Sequence, residues 1–409
     1  MKSSATATPE TATSQPQGTA GEVFLAFLKL GLTSFGGPIA HLGYFRNELV
    51  IRRKWISEEG YADLVALCQF LPGPASSQVG FALGLLRGGF AGAFAAWTAF
   101  TLPSAILLVA FAMAAPAFGG SAGGGLLHGL KIVAVAVVAQ AVWGMARNLT
   151  PDKERASIAL AAVLIVVFVP SAIGQIMAIA AGAIAGLWFC RREMASTTHH
   201  VSFRVPRWIG LLCLACFFAL LGLSPILSAV SGSQGVTLFS AFYRSGSLVF
   251  GGGHVVLPLL QAEVVNTGWV NADAFLAGYG AAQAVPGPLF TFAAYLGAVI
   301  GPAPYGLAGA AIALVAIFLP GLLLLVGTLP FWDSFRRYPL AQAAMRGASA
   351  AVVGILATAL YNPVWTSAIL RPYDFAAALV GFVLLVAWKA PPWVVVVLMG
   401  LAGIGLAFI

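Results

Sequence analysis

Charge is scarce in this 409-residue sequence: charged residues make up 8% and hydrophobic residues 60%. A soluble domain carries about 25% charge, because its surface must be wetted. A chain this poor in charge cannot cover a water-facing surface, which excludes an ordinary soluble fold. Acid is scarcer than base, with 13 Asp and Glu against 21 Lys and Arg, for a net charge of +8. In a soluble protein that balance would invite nucleic acid. In a membrane protein it marks Lys and Arg gathered in cytoplasmic loops, so no nucleic-acid partner is expected.

Cysteine is also sparse: Cys68, Cys190, Cys213 and Cys216, all inside or beside apolar runs. Cys213 and Cys216 form a C-x-x-C, but on the apolar stretch LLCLACFFALL with no second pair and no nearby His. They read as small buried hydrophobes, and no metal site is expected. The sequence has no G-x-x-x-x-G-K-[ST], so ATP is not the direct driver. It has no His, Asp and Glu cluster at metal-ligand spacing and no nucleophile–base motif. Those absences argue against an enzyme and against a cofactor. Residues 1–21 have no apolar centre and are rich in Thr, Ser, Ala, Gln and Pro. They read as a disordered tail rather than a signal peptide.

What is present is an internal repeat. FLKLGLTSFGG (Phe27 to Gly37) returns as FYRSGSLVFGG (Phe242 to Gly252), which sets Lys29 on Arg244. Glu48 falls on Glu263, Trp55 lies near the place of Trp269, and QFLPGP (Gln69 to Pro74) matches QAVPGP (Gln283 to Pro288). Pro103 matches Pro320, and Lys131 matches Arg346. The pairs keep their order at offsets of about 214 to 217, which chance does not produce. The chain therefore divides into the tail 1–21, a first repeat 22–190, a linker and linking span 191–228, and a second repeat 229–409.

Apolar runs of about 20 residues predict spans near 90–115, 126–147, 156–171 and 173–190. The second repeat predicts spans near 304–328, 340–360, 374–389 and 393–409, and a linking span covers about 208–228. The FGG and PGP regions read as re-entrant pairs of half-helices. Arg46, Arg52, Arg53 and Lys54 follow the first FGG element, whereas residues 261–272 carry no Lys or Arg. Conversely, Arg336 and Arg337 lie in 331–339 and the equivalent region 116–125 has neither. Opposite bias at equivalent places inverts the second repeat relative to the first. The expectation is an all-α integral membrane protein of two inverted-topology repeats with broken, re-entrant helices. Its N-terminus and residues 46–54, 148–155, 191–207 and 331–339 would be cytoplasmic and its C-terminus periplasmic, with Arg371 a minor exception.

The breaks are where the chemistry is expected. Gly36-Gly37-Pro38, Pro72-Gly73-Pro74, Gly251-Gly252-Gly253 and Pro286-Gly287-Pro288 interrupt the helical ladder. Such interruptions at membrane depth are tolerated only inside protein or against water. Broken helices in inverted repeats offer free N–H groups and a partial positive charge, which suit an anion. Candidate binding residues are therefore Gly36, Gly37, Gly73, Gly251, Gly252 and Gly287 with their polar neighbours Ser34, Gln69, Ser76, Ser77, Gln283 and Thr291. Lys29 and Arg244 lie about two helical turns before their glycines and join the set as costly intramembrane cations. Each has a plainer reading: snorkelling for the cations, helix packing for the glycines and capping for the hydroxyls.

His41 and His254 lie just beyond the breaks, and either would bind anion, carry a proton or sit satisfied in the interior. Asp63 leads into the first PGP and, with His41, is a proton-coupling candidate, although its counterpart is Ala277. Glu48 and Glu263 correspond and read as a loop-facing salt bridge. His199-His200 falls in the linker and carries no assignment.

FLKLGLTSFGGPIAHLGYFRNELV, followed by WISEEGYADL and QFLPGP, resembles the chromate ion transporter family. The resemblance covers about residues 22–409 and is that of a long-chain, two-domain member. It implies chromate efflux across a bacterial inner membrane and chromate resistance. Sulfate, a tetrahedral dianion of similar size, is the alternative substrate, carried as importer or exchanger. The chain's partners are then the oxyanion and the lipid bilayer, with a homodimer one option for its assembly. Gly253 stands where the first copy has Pro38, a departure with no reason visible in the sequence.

Overall fold

The computed structural model describes residues 18–118, 120–191, 203, 205–300, 305–332 and 338–408. Most of the tail, the linker histidines His199 and His200, and Arg336 and Arg337 lie outside those residues. All regular structure among the described residues is helical.

The first repeat opens with α1 (Ala20–Thr33), whose N-terminus is capped by the Thr19 hydroxyl accepting from the Glu22 amide. The chain breaks at Ser34–Gly36 and turns back as α2 (Gly37–Phe45), which widens into a π-type turn over Arg46–Arg52. Ser57 caps α3 (Glu58–Phe70), which ends at the Leu71–Pro74 break. Next, α4 (Ala75–Ala114) starts uncapped after Pro74 and bends at Gly88 and Gly89. Its first arm folds back onto its second, so closely that a Cβ on Gly84 would stand 2.5 Å from the Gly92 carbonyl oxygen. His41 of α2 reaches Ser76, and the Phe45 ring lies over Gly80, so α2 runs parallel to that first arm. Both broken elements are thus hairpins entering from one face, which we call face A. Three long or apolar helices complete the repeat: α5 (Gly120–Leu149), α6 (Lys153–Phe168) and α7 (Ala172–Phe189).

The linking helix α8 (Arg207–Ser231) carries the chain to the opposite face B. The second repeat then repeats the plan from face B. It runs α9 (Gln234–Ser247), a break, α10 (Val256–Leu260) with its own π-type turn Gln261–Val265, α11 (Ala272–Ala282), a second break and α12 (Phe292–Val299). It closes with α13 (Tyr305–Thr328), α14 (Pro339–Ala359), α15 (Pro372–Val386) and α16 (Pro392–Leu406). Among the described residues six helices are long and apolar enough to cross a bilayer, including Ala75–Ala117 and Pro339–Ala368. The molecule is an all-α integral membrane protein of two inverted repeats.

The repeats exchange their outer helices. α5 of the first repeat packs on α15 and α16 of the second, and α14 packs on α6 and α7. Small residues permit these contacts. A Cβ on Gly129 would come 2.3 Å from the Met399 carbonyl oxygen, and one on Gly186 would come 2.3 Å from that of Ala343. Without water between helices, close backbone approach and polar contacts hold such bundles together. A His128–Asp374 contact of 2.9 Å ties α5 to α15 at face B.

Candidate anion site at the crossing of the broken helices

The four breaks meet. Gly73 donates its backbone N–H to the Val249 carbonyl at 2.8 Å, and Gly287 donates to the Ser34 carbonyl at 2.9 Å. These bonds are equivalents of one another: the PGP break of each repeat pairs with the FGG break of the other. Gly73 has φ +120° and Gly287 φ +105°, backbone that side-chain-bearing residues avoid. There is also no room for a side chain. A Cβ on Gly73 would meet Gly321 Cα at 2.9 Å, and one on Gly287 would meet Ser104 Oγ at 2.8 Å. Gly321 and Ser104 each directly follow the helix-interior prolines Pro320 and Pro103.

The crossing explains why Gly253 replaces Pro38. At a pseudo-two-fold axis a residue meets its own counterpart, and a Cβ on Gly253 would lie 3.2 Å from the Pro38 ring. One proline ring fits there because the other is absent.

Donors line the first-repeat side. α2 and α4 both begin with no side-chain cap, so their first amides stay free. Ser34, His41, Ser76 and Ser77 are buried around them. His41 Nδ1 lies 3.3 Å from Ser76 Oγ, and the imidazole stands edge-on to Phe100. Ser34 Oγ, His41 Nε2 and Ser77 Oγ are buried with no protein partner. Buried polar atoms are normally paired, so unpaired ones gathered at a break want a ligand or water. The Gln78 side chain donates to the Pro72 carbonyl at 3.0 Å and the Gly321 carbonyl at 2.9 Å, fastening the break to α13.

The second-repeat side is built differently. His254 Nδ1 lies 2.7 Å from the Tyr279 hydroxyl, and Thr291 Oγ1 donates to the Pro288 carbonyl at 2.7 Å. Gln283 Nε2 is buried without a partner. Gly36 and Gly251 are exposed, with Gly37 and Gly252 half-buried beside them. Gln69, the counterpart of Gln283, is exposed. Asp63 receives the Trp332 indole N–H at 3.4 Å.

Lys29 and Arg244 go to carboxylates of their own hairpins. Lys29 Nζ stands 2.8 Å from Glu48, and Arg244 Nε donates to Glu263 at 2.7 Å. The two pairs are equivalents, each joining the outgoing helix of a hairpin to the π-type turn of its return arm. Glu48 also holds Arg53 at 2.9 Å and Arg52 at 3.1 Å. Burial by itself would raise the Glu48 carboxyl, but hydrogen bonds from Lys29, Arg53 and Arg52 outweigh it and hold it down at about 2. It stays ionised at neutral pH and does not shuttle protons.

Gln78, Ser104, Phe100 and Tyr279 join the site only through the fold. The repeated prolines at 103 and 320 are the one signal that could have led to Ser104 and Gly321, whereas nothing in the sequence joins Tyr279 to His254. Among the described residues no group of His, Cys, Asp and Glu could hold a metal ion.

Inverted repeats whose half-helices cross at the centre define the class: a membrane transport protein. The family model described as "Chromate transporter" matches residues 21–187 and 236–404, and the chain belongs to that family. A "Probable chromate transport protein" of Synechococcus elongatus is 29% identical over 391 residues, covering 92% of this chain and 93% of that protein. A "Chromate transport protein" of Pseudomonas aeruginosa is 28% identical over 396 residues, covering 93% and 91%. That of Cupriavidus metallidurans is 28% identical over 350 residues, covering 84% and 82%. No solved structure matches the chain.

Proposed function

We propose that this protein exports chromate across a bacterial inner membrane and so confers chromate resistance. One observation carries the reading: uncapped half-helices and unpartnered buried donors meet where the two repeats cross. The longest hairpin arms, such as the 14-residue α1, reach about 20 Å inward at 1.5 Å per residue. That depth places the crossing within the hydrocarbon region, where a free oxyanion has no other donors. Amide N–H groups, hydroxyls and a histidine suit a tetrahedral anion that accepts hydrogen bonds. Ser34, His41, Ser76, Ser77 and the Gly36–Gly37 amides are its first contacts in this reading, with His254, Gln283 and Thr291 on the far side. Lys29 and Arg244 act on the anion through the hairpins they brace rather than by touching it.

Charge supports the orientation. Arg46, Arg52, Arg53, Lys54, Arg87, Arg147, Lys153, Arg155, Arg207 and Lys389 all lie toward face A by the course of the helices. Lys131, Arg244 and Arg371 lie toward face B. The positive-inside rule makes face A cytoplasmic. A dianion leaving an inside-negative cell gains about twice 2.3 kcal/mol per 100 mV, so export runs on the potential alone.

Purified protein in liposomes, with potential and pH gradient set separately, tests this. Chromate flux should follow the potential toward the positive side and exceed sulfate flux. Flux of sulfate alone, or flux indifferent to potential, would overturn it.

A further inference from the structure

The two repeats are alike in plan but unlike in packing. On face B, α11 is closed onto α5. A Cβ on Gly280 would come 2.2 Å from the Leu130 carbonyl oxygen, and Lys131 Nζ meets Asp273 at 2.9 Å. Every residue from Phe275 to Ala282 is buried. On face A, the equivalent helices α3 and α14 lack comparable packing. Ala62, Ala66 and Gln69 of α3 are exposed, where their counterparts Leu276 and Gly280 are buried and Gln283 is half-buried. The first hairpins differ the same way. Leu42 of α2 is half-buried and Tyr44 is 40% exposed, whereas their counterparts Leu257 and Leu259 of α10 are 0% and 3%.

Gln69 decides what fills the opening. It directly precedes the break, about 20 Å from face A by the length of α3 at 1.5 Å per residue. An exposed amide at that depth would be costly against lipid and comfortable against water. A water-filled approach from face A to the crossing would satisfy that amide, and α11 packed on α5 leaves no equivalent approach from face B.

We infer that the structure is one of two exchangeable states, and that in the other α3 closes onto α14 with an Arg346–Glu59 ion pair while α11 leaves α5. Two halves with one fold can each adopt the other's arrangement, and the repeat supplies the residues. Arg346 is the counterpart of Lys131, Glu59 of Asp273, Ala66 of Gly280 and Met345 of Leu130. Glu59 is exposed, and Arg346 now donates to the Cys190 carbonyl at 2.8 Å and to Gln342 Oε1 at 3.0 Å. Glu58 is already engaged by Arg46, which leaves Glu59 as the carboxylate for the exchange. Ala66 carries a methyl that Gly280 lacks, so the face-A contact is the wider of the two. The inference deepens the transport reading and rests on the crossing being the site that both paths reach.

Two cysteine pairs in a background without native cysteines test it, in membranes, with a short bis-methanethiosulfonate reagent that joins the two thiols through disulfides. Lys131→Cys with Asp273→Cys reports the face-B closure; Glu59→Cys with Arg346→Cys reports the face-A closure. Both pairs should cross-link, each should stop chromate flux, and reductive cleavage should restore it. Removing the present latch by Lys131→Ala should raise the face-A yield by about two- to five-fold, the shift an exposed ion pair carries. Cross-linking of the face-B pair together with failure of the face-A pair to cross-link, whether or not the face-A pair also carries Lys131→Ala, would overturn the inference even if chromate flux were normal. Exchange of both pairs in a protein that moves no chromate would uphold it and remove the transport reading instead.

Discussion

Gly73 hands its backbone N–H to Val249, a residue of the other repeat, and the equivalent bond from Gly287 to Ser34 repeats the gesture across the pseudo-two-fold axis. Each repeat's proline break is completed by the glycine break of its partner. Neither glycine amide is satisfied within its own hairpin, so the half-helices are stable at depth only as a crossed set.

Gly73→Ala and Gly287→Ala should each damage the crossing. Both positions have positive φ and a neighbour under 3 Å from the added Cβ. Strain of about 1–3 kcal/mol is expected at each. Thermal unfolding in detergent should fall, and chromate flux per folded molecule should fall further. Flux at the wild-type level in both would show that the crossing is only a packing device.

The Pro38–Gly253 contact yields a swap test. Gly253→Pro sets two rings against each other and should abolish flux, while the double change Pro38→Gly with Gly253→Pro restores the one-ring arrangement. Recovery in the double variant is expected, with expression as the control. A double variant as inactive as Gly253→Pro would mean that the rings do not face each other in the membrane.

Equivalent ion pairs should not be equally sensitive. Lys29→Ala leaves Glu48 with Arg52 and Arg53, so the loss should stay under about 1 kcal/mol. Arg244→Ala leaves the Glu263 carboxylate with no other cation among the described residues. Loss of a buried partner costs about 3–5 kcal/mol, and partial exposure of Arg244 lowers this to about 2–3. Equal melting shifts for the two variants would contradict this account.

Opposite entry of the hairpins is checked by labelling. Cysteines at Arg53 and Thr267, in a background without native cysteines, lie on the face-A and face-B turns. An impermeant thiol reagent outside spheroplasts should modify the cysteine at 267 and spare the one at 53. Modification of both from one side would refute the inverted arrangement.

Replacing Pro72-Gly73-Pro74 by three alanines should let α3 run on into α4, closing the free amides into one ladder. Flux should drop far more than membrane expression, with Cys213→Ala as an indifferent control. A triple variant that transports like the control would place the anion elsewhere.

Much of the fold was legible in the chain. Long apolar runs set the spans, and α7, α13 and α14 fall within a few residues of their predicted edges, while α5 begins six residues earlier than predicted. The repeated FGG and PGP strings marked the breaks, because glycine and proline act locally on the ladder whatever surrounds them. The partners of Lys29 and Arg244 were half legible: Glu48 and Glu263 were visible as equivalents, but not as the residues that receive the cations. That pairing depends on each hairpin folding back with a π-type turn, which no short-range pattern announces. His254 with Tyr279 was invisible, since the two are joined by packing between separate elements and have no counterpart in the first repeat.

The sequence by itself determined that this is a membrane protein of two inverted halves with interrupted helices, because hydropathy, charge bias and proline chemistry are local or additive along the chain. Only the tertiary structure decided that the breaks of one repeat are satisfied by those of the other, and that Pro38 needs Gly253. It also decided that α11 lies closed on α5 at face B while α3 lies apart from α14 at face A. Those are facts about which surfaces meet, set by close packing between residues far apart in sequence, and an internal repeat alone cannot say whether its copies stand side by side or cross.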